Sequence, residues 1–134
     1  MLYAILTLIA APLIGAIDFL WIGIIARGFY QEGIGHLFAA SFNIPAAVAF
    51  YVIYAVGLAI FVVAPAIEAR SVVNALIFGA LFGFFAYAAY DLTNLATLKD
   101  WPLSVTFADM AWGAFLSSIV SALTYLVATG VVGY

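Results

Sequence analysis

Four long apolar runs fill almost the whole chain, broken only at Gly28–Phe42, Pro65–Arg70 and Thr97–Pro102. A helix that crosses a bilayer needs about 20 apolar residues, and in lipid the backbone must satisfy its own hydrogen bonds. A chain of 134 residues has length for four such helices and little else. The expected fold is all-α and integral to the membrane. It is a single four-transmembrane-helix bundle over residues 1–134, with a short interfacial segment between helices 1 and 2.

Composition agrees. The chain is 69% hydrophobic and 7% charged, with a mean hydropathy of +1.30; soluble domains are about 45–50% apolar and about 25% charged. Cysteine is absent, which excludes disulfides and thiolate metal sites. The net charge of −3 comes from three basic and six acidic side chains. No basic patch exists to take a nucleic acid. The partner to expect first is membrane lipid.

Helix 1 is expected from Leu2 to about Ile25, closed by Arg27 and Gly28. It lacks a basic n-region and its apolar run exceeds a signal core, so it reads as a retained helix rather than a signal peptide. The segment Gly28–Phe42 mixes Phe29, Tyr30, Ile34, Leu37 and Phe38 with Gln31, Glu32 and His36, which suits a short helix among headgroups. Asn43 is a helix-start signal with Pro45 in the first turn. Helix 2 is expected to reach about Ala64, with Pro65 marking its end. Ser71 caps helix 3, which runs to Thr93 or Leu95. Helix 4 starts at Pro102 or Leu103 and runs to about Ala128. Four spans put both termini on one side and the 1–2 and 3–4 connections on the other.

Asp18, Asp91 and Asp109 fall inside these runs. A carboxylate at the bilayer centre costs roughly 2.5–3.5 kcal/mol on insertion scales, so an intramembrane aspartate marks a candidate site. Helices 1 and 3 run in the same direction and helix 4 starts where helix 3 ends. At 1.5 Å per residue, counting places all three carboxylates roughly 5–12 Å below the connection-side surface. Each also lies on a face of small or polar residues. In helix 1 the face is Thr7, Ala11, Gly15, Asp18. In helix 3 it is Gly79, Gly83, Tyr87, Asp91, Asn94. In helix 4 it is Thr106, Asp109, Gly113, Ser117, Ser121, Thr124. Small faces let helices approach, which gives Gly79, Gly83 and Gly113 to helix packing and makes Gly79/Gly83 a candidate homodimer face.

Asp18 and Asp109 are each followed three residues later by tryptophan, Trp21 and Trp112. Residues at i, i+3 share a helix face, so each indole N–H is positioned to serve its aspartate, or each ring to receive a cation. Tyr51 and Tyr54 of helix 2 are further hydroxyl donors at that depth. Carboxylates that share a site repel. At least one is expected to hold a proton, and Arg27 or Lys99 to reach down and neutralise another. The candidate ligand-binding set is Asp18, Asp91, Asp109, Asn94, Trp21, Trp112 and Tyr87. His36 has no His or Cys companion, so no metal is assigned. No Ser-His-Asp, P-loop, dinucleotide or zinc motif is present, so no cofactor is assigned and catalytic residues stay unspecified.

Tyr90-Asp91-Leu92-Thr93-Asn94-Leu95-Ala96-Thr97-Leu98-Lys99-Asp100-Trp101-Pro102-Leu103 is a distinctive stretch, as is Asp18-Phe19-Leu20-Trp21-Ile22-Gly23 followed by Phe29-Tyr30. With Asp109 and Trp112-Gly113 they resemble a bacterial family of small predicted membrane proteins, the domain-of-unknown-function family numbered 2177. The resemblance spans nearly the whole chain. It implies a four-helix protein of a bacterial cytoplasmic membrane and no assigned activity.

Three functions compete. The acidic site binds or conducts a small ligand, cation or proton. Alternatively, the chain is an accessory or assembly subunit of a larger membrane complex. A third option is an intramembrane lipid-modifying enzyme that uses two aspartates as acid and base.

Overall fold

Each apolar run becomes a helix long enough to cross a membrane in the computed structural model, which describes residues 1–134. The spans are Leu2–Ile25, Ile44–Glu68, Val72–Thr97 and Leu103–Val132. At 1.5 Å per residue they measure about 36–45 Å, more than the hydrocarbon thickness of about 30 Å. No strand is present.

The caps follow the sequence. Asn43 Oδ1 accepts the Ala46 N–H at 3.1 Å, and Pro45 occupies the first turn. Ser71 Oγ accepts the Asn74 N–H at 3.1 Å. The expected boundaries shift in three places. The second span does not stop at Pro65. A π turn, Ala59–Val63, widens the ladder, and Pro65 falls in the first turn of the segment Ala64–Glu68 that follows. There its missing N–H is tolerated. The third span continues to Thr97, past Thr93 and Leu95. The fourth passes Ala128 through a π turn to Val132 and closes on Gly133, at φ 95°.

The third and fourth spans form the tightest pair, because glycines remove the side chains between them. A Cβ on Gly79 would lie 2.7 Å from the Ser117 carbonyl oxygen and 2.8 Å from Ser121 Oγ. A Cβ on Gly83 would overlap the Gly113 carbonyl, and one on Gly113 would overlap the Tyr87 ring. This overturns the expected homodimer face at Gly79/Gly83. Both glycines are buried against the chain's own fourth span and present nothing to a second copy.

The first span packs through Leu6, Ala10 and Ile14, all buried. Ala10 and Ile14 meet Tyr54, Ala55, Leu58 and Val62 of the second span and Leu116 and Val120 of the fourth, while Leu6 packs with Ala59, Val63 and Ala64 of the second and Ala128 of the fourth. The inner stripe is therefore one residue away from the expected Thr7–Ala11–Gly15 face. Thr7 donates to the Tyr3 carbonyl of its own helix at 2.7 Å, and Gly15 faces open space. Four-residue steps carry the stripe from Ile14 to Asp18.

The connection between spans 1 and 2 holds a short helix, Arg27–Ile34, followed by a 3-10 turn, Gly35–Leu37. Ala26, Tyr30 and Ile34 form its buried stripe and pack with Val105 of the fourth span and with Trp21 and Trp101. Arg27, Phe29, Gln31 and Glu32 lie on the exposed side. Its inner face closes the connection-side end of the bundle.

Candidate functional site

The three aspartates lie six or seven residues inside the connection-side ends of their spans: Asp18 before Ile25, Asp91 before Thr97, Asp109 after Leu103. That is a depth of about 9–11 Å. Their surroundings differ.

Asp18 is fully engaged. The Tyr51 hydroxyl donates to Oδ2 at 2.7 Å, and the Trp112 indole donates to Oδ1 at 2.9 Å. Asp109 Oδ1 accepts the Tyr30 hydroxyl at 2.7 Å, and that hydroxyl accepts the Trp21 indole N–H at 3.1 Å. The rings of Trp21 and Trp112 stack, with centroids 4.5 Å apart and planes 9° from parallel. The two Asp-x-x-Trp pairs are thus crossed. Trp112 serves the aspartate of the first span, and Trp21 serves the tyrosine that serves the aspartate of the fourth. Side chains at i, i+3 project in one direction, so the two rings meet between the helices and each N–H edge reaches across. The expectation that each indole serves its own aspartate is corrected.

Tyr54 is the other departure from the expected donors. Its hydroxyl shares a 2.6 Å hydrogen bond with Ser117 Oγ rather than with a carboxylate. Tyr30 is the donor that sequence reasoning missed. The signal was present: Ala26, Tyr30 and Ile34 recur every four residues, the stripe of an amphipathic helix with one buried face. Burial and the neighbouring Asp109 charge push the Tyr30 phenol above its ordinary range, so it acts as a donor and keeps its proton.

Asp91 is fully buried, and no hydroxyl, amide or indole donates to either oxygen. The group it faces is the Asp109 carboxyl, within hydrogen-bonding reach. Asp18 stands apart from this pair, joined to it through the Trp112–Trp21–Tyr30 chain. No Lys or Arg forms an ion pair with any of the three. The one close approach of a basic side chain's nitrogen to a carboxylate is His36 Nε2 to Asp100 Oδ2, 3.8 Å apart and exposed. The expected neutralisation by Arg27 or Lys99 is therefore corrected: both side chains are exposed, Arg27 on the outer face of the connecting helix and Lys99 in the 3–4 turn.

A cavity of about 510 Å³ opens beside these groups. Asp18, Asp109 and Tyr30 form its polar wall. Tyr54, Tyr87, Tyr90, Trp101, Phe38 and Phe50 form most of the rest. Of the expected ligand-binding set, Asp18, Asp109 and Tyr87 line it. Trp21 and Trp112 stand behind the wall and orient its carboxylates. Asp91 lies behind Asp109, and Asn94 is half-buried on the third span near Tyr90. No three His, Cys, Asp or Glu side chains are arranged to hold a metal ion.

Residues 3–126 match the family described as predicted membrane protein (DUF2177). The chain belongs to that family. The match takes in all three aspartates, both tryptophans of the stack and the whole cavity wall of this DUF2177 protein. No curated protein and no solved structure matches it.

Tyr30→Phe in this DUF2177 protein leaves the Trp21 N–H without its acceptor and Asp109 without its donor. A buried group that loses its partner costs about 1–3 kcal/mol. The expected result is a lower thermal midpoint and altered tryptophan fluorescence. An unchanged midpoint and spectrum would show that the hydroxyl chain does not form.

Proposed function

We propose that this DUF2177 protein binds a membrane-partitioned organic cation in the cavity between its four spans. One observation carries the proposal: Asp18 and Asp109 stand on the wall of an aromatic cavity with no basic side chain to balance them. An uncompensated carboxylate in a low-dielectric setting is costly, and a cation in the cavity removes that cost. Aromatic faces add to the attraction. The volume suits a small organic molecule, for which pockets of about 300–1,000 Å³ are usual.

The cavity wall includes Ile22 of the first span and Phe50 of the second, which are 41% and 46% exposed. Around a membrane span that exposure is to lipid, so the ligand enters from the bilayer and must be lipophilic. An acid–base enzyme finds less support in the same site. Both Asp18 oxygens are occupied by donors, and no Ser, Thr or Lys lines the cavity.

The test uses tetraphenylphosphonium and tetraphenylborate, ions of nearly the same shape and opposite charge. Equilibrium dialysis of the detergent-solubilised full chain is expected to show saturable binding of the phosphonium and none of the borate. Equal uptake of both would reduce the binding to partitioning and overturn the proposal.

A further inference from the structure

Asp91 is the one of the three intramembrane aspartates that does not line the cavity. It is completely buried, yet neither oxygen accepts a hydrogen bond from any donor group. A buried polar group without a partner is rare in folded proteins. One of the two oxygens gains a partner, and the unbalanced second charge is removed, if a single proton lies between Asp91 and Asp109. One carboxyl then donates to the other, and Asp109 Oδ1 still accepts from Tyr30. Two charged carboxylates in mutual contact, with no cation nearby, would not be stable there.

The titratable groups around the pair are few. Asp109 faces Asp91 from the fourth span, Tyr90 lies one residue before it and Tyr87 about one turn before it on the third, and Tyr30 approaches from the connecting helix. The first and second spans bring Asp18, Tyr51 and Tyr54, which are occupied with their own partners. No basic group competes with the proton for the pair.

We infer that Asp91 and Asp109 together hold one exchangeable proton, and that a cation entering the cavity beside Asp109 expels it, so that binding is a proton-for-cation exchange. The inference rests on the cation reading of the cavity. The chemistry balances simply. One carboxyl O–H bond breaks, the electron pair stays on the carboxylate, and the proton is released to water. The organic cation replaces it as the counter-charge.

Titration calorimetry of the full chain with tetraphenylphosphonium, in buffers of different ionisation enthalpy, counts the protons released. The wild type is expected to release about one per bound cation, and its affinity to rise about tenfold per pH unit over the range in which the pair still holds its proton. Asp91→Asn is expected to bind with no release and a flat pH profile. Wild-type binding with no release and no pH dependence would overturn the exchange and leave the cation site standing. Absence of binding would overturn both. Infrared spectroscopy of the unliganded wild type provides a check that needs neither variant nor ligand. A protonated-carboxyl C=O stretch is expected, and a spectrum with carboxylate bands alone would overturn the shared proton.

Discussion

Gly83→Val is expected to separate the third and fourth spans and abolish the native fold in mild detergent. Any Cβ at this position would collide with the Gly113 carbonyl and with Ser117 Oγ. The first obstacle is backbone, which cannot rotate away as a side chain can. Overpacking in a well-packed interior costs typically 1–3 kcal/mol and sometimes more. Valine brings two further methyl groups into the same gap, so the expected loss is about 3 kcal/mol or above. Membrane helices gain little from hydrophobic burial against one another, because lipid is equally apolar. Close packing therefore carries much of the association, and its loss has no substitute. Gly15→Ala is the matched control. A Cβ there meets nothing within 4 Å, and alanine has a helix propensity about 1 kcal/mol better than glycine. Unfolding by denaturing detergent, followed by circular dichroism, is expected to show Gly15→Ala at or above wild-type stability and Gly83→Val unfolded at the lowest dose. Equal resistance of the two variants would show that the third and fourth spans do not meet at Gly83.

The fold was legible wherever one physical rule acted alone. Apolar run length gave four spans, and Asn43 and Ser71 gave two of the caps. The common depth of Asp18, Asp91 and Asp109 came from helix direction and rise per residue, with no knowledge of packing. Where two rules competed, the outcome was hidden. Pro65 is normally a stop signal, but the π turn Ala59–Val63 shifts the ladder so that proline falls in a first turn. The Gly79/Gly83 face permits close approach by any helix. A sequence cannot say whether that helix belongs to the same chain, and here it is the fourth span. The Asp-x-x-Trp spacing correctly put each acid and indole on one face. It carried no information on which carboxylate each indole would meet, because the Trp21–Trp112 stack forms only between helices. Tyr30 was hidden for a different reason. Its segment is too polar to span and too aromatic for a plain loop, a composition that suits headgroups, and composition does not reveal that the stripe Ala26, Tyr30, Ile34 faces inward and closes the bundle.

Asp109→Asn is expected to weaken tetraphenylphosphonium binding about 100-fold, or about 2.7 kcal/mol, without loss of the fold. Two unit charges 4 Å apart attract by about 4 kcal/mol at an effective dielectric constant of 20. Part of that is offset by the cost of stripping water from the cation, which leaves an effect of this size. The fold should survive because asparagine keeps the geometry. Its amide oxygen still accepts the Tyr30 hydroxyl now held by Asp109 Oδ1 at 2.7 Å, and its amide N–H can donate to Asp91, whose oxygens have no donor of their own. The substitution also removes a carboxyl whose insertion in a membrane costs roughly 2.5–3.5 kcal/mol at the bilayer centre. Thermal stability is therefore expected to stay level or to rise while binding collapses. That opposition separates a site from helix glue. If Asp109 served only to hold helices together, stability and binding would fall together. Asp18→Asn gives the internal contrast. Its two oxygens accept from Tyr51 and Trp112, and an amide can replace only one of them, so binding and stability are both expected to drop. Dialysis and thermal denaturation run on the two variants in parallel decide the matter. An Asp109→Asn protein that binds the phosphonium like wild type would remove the carboxylate from the site.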